Sequence, residues 1–86
     1  MDERRRKLHF RAWRRGIREL DLIFGSFSDA HMANLTDSDL DEFERLLDVP
    51  DLKLYDWITG TAETPAEYQS NVLDQLKQFK YSAQPG

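Results

Sequence analysis

The sequence predicts an all-α fold, a small helical bundle in which residues 1–86 form a single domain. Apolar residues recur at alternating steps of three and four, which places them on one face of a helix. Proline and glycine stand where helices would begin and end, and no useful length of chain alternates apolar and polar residues as a strand would. With 86 residues, of which 40% are hydrophobic, the chain is long enough for one core and too short for two.

The first quarter of the chain is predicted to be helical. Gly16 interrupts it, and a glycine inside a helix costs about 1 kcal/mol relative to alanine, so either one long helix runs through Gly16 or two helices meet there. Gly25 marks a second position where the helix either continues or loosens into a connection. The residues that share the apolar face are Phe10, Trp13, Ile17, Leu20 and Phe24.

The next helix is predicted to begin at Asp37 and to stop at Pro50. Thr36 can cap the amides that follow it, and Leu35 can pack against Leu40 as a hydrophobic staple. Proline ends the helix because it cannot donate the next backbone hydrogen bond. The apolar face of this helix comprises Leu40, Phe43, Leu46 and Leu47.

A short helix is predicted directly after Pro50, with Gly60 in the left-handed conformation that ends it. It offers Leu54, Tyr55, Trp57 and Ile58 to the interior. A core of this size stabilises the fold only modestly, so a few large aromatic side chains are expected to matter most for folding. These are Trp13, Phe43, Trp57 and Phe79.

The last helix is predicted to start at the sequence TPAE. In this prediction Thr64 is the cap, Pro65 takes the first helical position, and Glu67 completes a capping box. The tail, about 81–86, is expected to fray. Helical spacing then continues through Tyr68, Val72, Leu76 and Phe79.

Charge is distributed unevenly along the chain. Residues 1–19 carry eight basic and three acidic side chains, whereas the whole chain has a net charge of −4, so the remaining residues carry −9. A basic end on an acidic body favours a partner with an acidic surface or an anionic ligand. The net acidity opposes a nucleic-acid partner. Because there is no cysteine, no long apolar run and no signal-like start, we expect a soluble intracellular protein without disulfides or a thiolate metal site.

Several kinds of chemistry are suggested by single motifs and then fail on the rest of the pattern. Asp37, Asp39 and Asp41 have the spacing of the first ligands of a calcium-binding loop, but Glu42 stands where that loop needs glycine and Asp48 where it needs glutamate. The acidic run is better explained as a solvated helix face.

Catalytic and metal sites are not expected either. His9 and His31 lack a partner at the spacing that a zinc site uses. The residue types of a hydrolytic triad occur close together at Ser28, Asp29 and His31. We do not expect a hydrolytic site there, because no glycine motif or strand-to-helix turn positions a nucleophile. The four glycines are scattered, so no phosphate-binding loop is present.

The most unusual stretch is RAWRRGIRELD, and it allows two interpretations. In one, Gly16 ends a helix, and Arg15 and Glu19 form an ordinary ion pair four residues apart on a solvated face. In the other, the missing side chain at Gly16 lets another backbone approach, while Arg15 and Glu19 supply charged hydrogen bonds beside it. The second interpretation describes a docking surface.

The segment RGIRE at this position has the form R-G-x-x-E, and with it the chain resembles the succinate dehydrogenase assembly factor 2 family, called SdhE in bacteria. The resemblance continues through LTDSDLDEFERLLDVPD and through LYDWITG, where Asp51 and Trp57 resemble a second signature. It covers nearly the whole chain. It implies a five-helix bundle.

The resemblance also implies a function. Family members are assembly chaperones, not enzymes, that promote covalent attachment of FAD to the flavoprotein subunit of succinate dehydrogenase and, in some bacteria, of fumarate reductase. By this resemblance the chain is expected to be a monomer in the bacterial cytoplasm that holds no cofactor stably by itself and contacts neither membrane nor nucleic acid. Whether it touches FAD directly stays open, and a regulatory inhibitor or antitoxin-like binding module is the alternative.

The resemblance further implies which residues meet the partner. The family's motif falls on Arg15, Gly16 and Glu19, and the neighbouring arginines form a basic rim for acidic groups of the partner or for the flavin pyrophosphate. That rim consists of Arg11, Arg14 and Arg18. For Asp51 and Trp57 we favour a structural role, because an aromatic residue before a helix-ending glycine usually lies in the core.

Overall fold

The chain breaks around Gly16, and this break determines how the helices are arranged. The structure, a computed structural model, describes residues 2–79. Helix α1 spans Glu3–Ala12 and helix α2 spans Arg18–His31. Between them Gly16 has a φ of +113°, a conformation that side chains other than glycine rarely adopt. Of the two alternatives that the sequence left open, two helices meeting at Gly16 is therefore correct.

Five α-helices and no strand are present among the described residues, which confirms the predicted all-α five-helix bundle. A short 3₁₀ turn, Met32–Asn34, follows α2, and a second one, Ala66–Tyr68, precedes the last helix. The remaining helices are α3 (Asp37–Leu47), α4 (Asp51–Thr59) and α5 (Asn71–Gln78).

The boundaries of α3 and α4 follow the local signals in the sequence. The Thr36 hydroxyl accepts a hydrogen bond from the backbone N–H of Asp39, and the Asp39 carboxylate accepts one from the N–H of Thr36, each at 3.1 Å. This capping box confirms the predicted start at Asp37. At the end of α4, Gly60 has a φ of +85°, as predicted.

The predicted start of the last helix is wrong. Pro65 has an extended backbone (φ −57°, ψ 147°), so the sequence TPAE opens a single 3₁₀ turn and not a helix. Tyr68, at the end of that turn, packs against Trp57 with a ring separation of 5.2 Å. Helix α5 begins only after Ser70, whose hydroxyl accepts the N–H of Leu73. The tail that was expected to fray lies outside the described residues.

The core is built around three fully buried phenylalanines on α2 and α3. The ring of Phe43 lies 5.6 Å from that of Phe24 and 6.1 Å from that of Phe27. The predicted core positions Phe43 and Trp57 are confirmed. Phe79 is only partly buried and meets the edge of Phe27.

The prediction that Phe10 shares the apolar face is wrong, since its side chain is 58% exposed. The break at Gly16 rotates α1 relative to α2, so a helical spacing that spans both helices no longer describes one face. The residues of α1 that are buried are Leu8 and Ala12.

Gly25 does not interrupt α2. The absence of a side chain at this position leaves room for the Trp13 indole. A Cβ atom built at position 25 would lie 2.1 Å from Cδ2 of the Trp13 indole, far inside van der Waals contact. The indole therefore packs directly on the backbone of α2, and its Nε1 points to the Asp29 carboxylate at 3.4 Å. This contact fixes the end of α1 against α2.

We expect Gly25→Ala to lower the free energy of unfolding by about 2 kcal/mol, because the methyl group overpacks the indole. Helix propensity alone predicts the opposite sign, a gain of about 1 kcal/mol. Urea unfolding of the variant decides between the two. A second substitution, Trp13→Leu, is expected to recover part of the loss, and a Gly25→Ala variant as stable as wild type would contradict the contact.

Candidate partner-binding site

The guanidinium group of Arg15 is buried and hydrogen-bonded within the chain. It donates to the backbone carbonyls of Leu47 at 2.5 Å and Val49 at 2.7 Å, and to the Asp51 carboxylate at 2.7 Å. A weaker bond reaches the carbonyl of Leu46 at 3.3 Å. The side chain is only 4% exposed, which is low for an arginine in a motif that was expected to face a partner.

These bonds join three elements at one point. At the end of α3, Arg15 donates to the carbonyl of Leu47 and, more weakly, to that of Leu46, which also accepts the N–H of Val49 at 3.1 Å. Its ion pair with Asp51 reaches the first residue of α4. Arg15 therefore holds the break between α1 and α2 against the turn that joins α3 to α4, and Asp51 has the structural role that the sequence favoured.

The ion pair between Arg15 and Glu19, which one of the two interpretations of RAWRRGIRELD contained, is not formed, and Arg15 pairs with Asp51 instead. The two motif residues do not lie on one helix, because α2 begins only at Arg18. Four-residue spacing brings side chains together only where the helix is continuous. Glu19 instead is exposed in the first turn of α2.

Gly16 lies on the surface, and its conformation explains why the position holds glycine. Its N–H and that of Arg15 both point to one oxygen of the Asp21 carboxylate, at 3.3 and 2.6 Å. A Cβ atom at position 16 would meet nothing closer than the Asp51 carboxylate at 3.5 Å, which is an ordinary contact. The backbone angle, and not crowding within the chain, therefore demands glycine.

Asp21 is a site residue whose role the sequence analysis missed. Its carboxylate accepts two successive backbone N–H groups of the loop and so fixes the turn into α2. The signal was present, since an aspartate shortly after a glycine is well suited to accept loop amides.

A groove of about 400 Å³ runs between the end of α1 and the turn after α3. Arg11 and Arg14 line it beside Arg15, whereas Gly16, Arg18 and Glu19 do not. Arg11 is paired across the groove with Asp48 at 2.7 Å, and the guanidinium of Arg14 lies 3.8 Å from the centre of the exposed Phe10 ring. The complete lining is Phe10, Arg11, Arg14, Arg15, Leu47, Val49, Pro50 and Asp51.

The arrangement is suited to binding. Cations and an aromatic ring at the groove can hold a carboxylate or another anion next to an apolar group. The six residues expected at the partner surface thus divide into a buried one, Arg15, and five exposed ones: Arg11, Arg14, Gly16, Arg18 and Glu19. Their contact with a partner stays a prediction.

The hydrolytic triad of Ser28, Asp29 and His31 that the sequence suggested does not form. His31 packs against the rings of Phe27 and Phe79, at 4.8 and 5.7 Å, so it is not placed to act as the base for Ser28. It is His9 that approaches Ser28, with Nδ1 2.7 Å from the hydroxyl, while its Nε2 lies 3.3 Å from Asp29. Ser28 is 1% exposed beneath α1, so this cluster ties α1 to α2.

Neither a metal site nor a membrane span is found in the part of the chain that the structure describes. No group of three or more His, Asp or Glu side chains within residues 2–79 could hold a metal ion. No helix in that range is long and apolar enough to cross a bilayer.

Comparison with known proteins identifies relatives over most of the chain. The family model described as flavinator of succinate dehydrogenase matches residues 6–80. A succinate dehydrogenase assembly factor 2, mitochondrial, of Dictyostelium discoideum is 37% identical over 73 residues, which are 85% of this chain and 52% of the relative. An FAD assembly factor SdhE of Acetobacter pasteurianus is also 37% identical over 73 residues, 85% of this chain and 67% of the relative.

A third relative, from Danio rerio, is likewise named succinate dehydrogenase assembly factor 2, mitochondrial, and is 32% identical over 81 residues, or 92% of this chain and 51% of the relative. The chain therefore spans about half to two thirds of the length of these relatives. No solved structure matches the chain.

We expect Arg15→Lys to lower the free energy of unfolding by about 3 kcal/mol, because a single ammonium group cannot reach the carbonyls of Leu47 and Val49 and the Asp51 carboxylate together and leaves at least one of these acceptors without a donor. Arg18→Lys, an exposed change at a neighbouring position, is the control and should shift stability by no more than about 0.5 kcal/mol. Thermal and urea unfolding measure both variants. Equal stability of the two variants would contradict the buried anchor.

Proposed function

This chain belongs to the family of flavinators of succinate dehydrogenase, and we propose that it binds the flavoprotein subunit of succinate dehydrogenase and promotes the covalent attachment of FAD to it. The observation that carries the proposal is the family match over residues 6–80, which includes the complete RGIRE segment. The role is that of an assembly chaperone without a catalytic group of its own.

The geometry supports a division of roles within RGIRE. Arg15 is a positioning residue, because its side chain already donates hydrogen bonds to the carbonyls at the end of α3 and to Asp51. Gly16 and Glu19 are exposed next to it and are the motif residues that we assign to the partner. The buried arginine thus fixes the loop that carries Gly16 and the start of α2 that carries Glu19.

The neighbouring arginines extend this surface. Arg11, Arg14 and Arg18 are exposed, and their charge suits acidic groups of the flavoprotein subunit or the pyrophosphate of its FAD. A chaperone can act by holding the client in the geometry that favours attachment, since orientation alone can remove several kcal/mol of a barrier, up to about 10. The FAD belongs to the client in this proposal, and the chain holds none stably.

Three further parts of the proposal concern the setting. The chain acts as a monomer, it works in the bacterial cytoplasm, and fumarate reductase is the second client to test in the same assay. The printed name of the Acetobacter pasteurianus relative, FAD assembly factor SdhE, supports the bacterial setting. A regulatory inhibitor or antitoxin-like module is the alternative, and copurification with a different protein would favour it.

The test of the proposed function is covalent flavin in the flavoprotein subunit. The subunit is incubated with FAD, with or without this chain, then denatured and separated on a gel, where only covalently bound flavin still fluoresces. We expect fluorescence with the chain and little without it. Equal fluorescence in both lanes would mean that the chain is dispensable for this client.

Substitutions at Gly16 separate loop conformation from contact. Gly16→Ala and Gly16→Arg share the same backbone strain, on the order of 1–3 kcal/mol, because both residues disfavour a φ of +113°. Only arginine adds a long side chain at the proposed contact. We expect Gly16→Arg to abolish covalent flavin and Gly16→Ala to retain part of it, with the same helical content by circular dichroism.

If Gly16→Ala loses as much covalent flavin as Gly16→Arg, then the backbone conformation of the loop is what the position supplies. If either variant also loses its helical content, Gly16 is needed for the fold.

A further inference from the structure

Phe10 is an exposed aromatic side chain in a place where the fold does not require it. Its side chain is 58% exposed, and it shares this property only with Leu52 among the large hydrophobic residues that the structure describes. The guanidinium of Arg14 lies over the Phe10 ring, 3.8 Å from its centre. Aromatic residues and arginines are the side chains most enriched where protein surfaces bind one another.

The cations of α1 and of the residues just after it divide into two groups. Arg4, Arg5 and Arg11 are tied to the rest of the chain: Arg4 pairs with Asp41 at 2.6 Å, Arg11 pairs with Asp48, and Arg5 donates to backbone carbonyls after α2. These three arginines hold α1 against α3 and against the 3₁₀ turn after α2.

The second group faces outward. Arg6 and Arg14 have no acidic partner within residues 2–79, and Lys7 has only a long contact of 3.5 Å with the equally exposed Glu3. The charge of these cations is thus available to a ligand.

Two hollows meet at Phe10. One is the groove beside Arg15, and the other, of about 670 Å³, runs along the outer side of α1. Phe10 and Arg11 line both hollows, so the two lie side by side along α1. We call the two hollows together the α1 trough. The second hollow is lined by Glu3, Arg6, Lys7, Phe10 and Arg11.

We propose that the α1 trough binds an acidic segment of the flavoprotein subunit whose apolar side chain covers Phe10. The proposal rests on the proposed function and extends its surface from Arg11 and Arg14, which line the trough, to Phe10 and the outer side of α1; Gly16 and Glu19 do not line the trough. Carboxylates of the segment would meet Arg6, Lys7 and Arg14. The apolar side chain would bury the exposed ring.

The distribution of charge favours a short acidic protein segment over a long polyanion such as nucleic acid. Residues 20–86 carry a net charge of −9, so an extended nucleic acid strand leaving the trough would run over an acidic surface. A short acidic segment fits within the basic part. The exposed ring also needs an apolar counterpart, which a protein segment provides and an isolated small anion does not.

The test compares Phe10→Ala with Leu52→Ala, since each removes one exposed large apolar side chain from the surface of a helix. The measurement is the Kd for the flavoprotein subunit before FAD attachment, by titration calorimetry. We expect Phe10→Ala to raise Kd about 30-fold, as an aromatic anchor does, and Leu52→Ala to change it less than about twofold. Both variants should keep the wild-type Tm.

Arg14→Ala and Lys77→Ala test the charge in the same way. We expect Arg14→Ala to weaken binding and to flatten the dependence of Kd on salt as the Debye length falls from about 30 Å to about 8 Å, while Lys77→Ala behaves as wild type. A photoreactive substitution, Phe10→p-benzoylphenylalanine, then identifies the occupant. We expect it to crosslink to a peptide of the flavoprotein subunit that contains Asp or Glu.

The outcomes separate the two proposals. If wild type binds the subunit and supports covalent flavin but Phe10→Ala binds equally well, the α1 trough is not a contact and the proposed function stands. A crosslink to a segment without acidic residues, or to nucleic acid or a second copy of this chain, also overturns the trough proposal. If wild type neither binds nor supports covalent flavin, the proposed function itself fails.

Discussion

The arrangement of the helices depends on a single buried guanidinium group. Arg15 leaves the loop between α1 and α2 and ends among the carbonyls after α3 and the carboxylate of Asp51, so it joins positions more than thirty residues apart in the chain. Backbone carbonyls at a helix end are costly to bury without donors, and here the donors come from another part of the chain. The loop that carries Gly16, and with it the start of α2 that carries Glu19, therefore has a defined position because α3 ends where it does.

Local signals predicted those parts of the fold that neighbouring residues determine. The start of α3 at Thr36 and the end of α4 at Gly60 depend on side chains and backbone angles within one turn, and both predictions are confirmed. The last helix starts later than TPAE indicated because Tyr68 packs against Trp57, a contact that no local pattern contains. Phe10 was assigned to the core because the sequence does not show how far the break at Gly16 rotates α1.

The candidate site was only partly predictable for the same reason. A motif shows which residues occur together, but it does not show which of their side chains form contacts within the fold. Spacing paired Arg15 with Glu19, whereas the fold pairs Arg15 with Asp51 and leaves Glu19 at the surface. The arginines of the basic end also differ in their contacts. Arg11 pairs with Asp48, whereas Arg14 lies over the Phe10 ring.

The packing of the Trp13 indole on the backbone at Gly25 has a consequence for how a partner would bind. Because the ring packs directly on the backbone of α2, sliding or rolling of α1 along α2 would break this contact, which holds the α1 trough in a fixed position relative to Gly16 and Glu19. In the proposed role, a client would contact both surfaces only where its own two binding segments lie at the matching separation. By the same proposal, an unfolded client would present these segments at many separations and would match less often than a folded one.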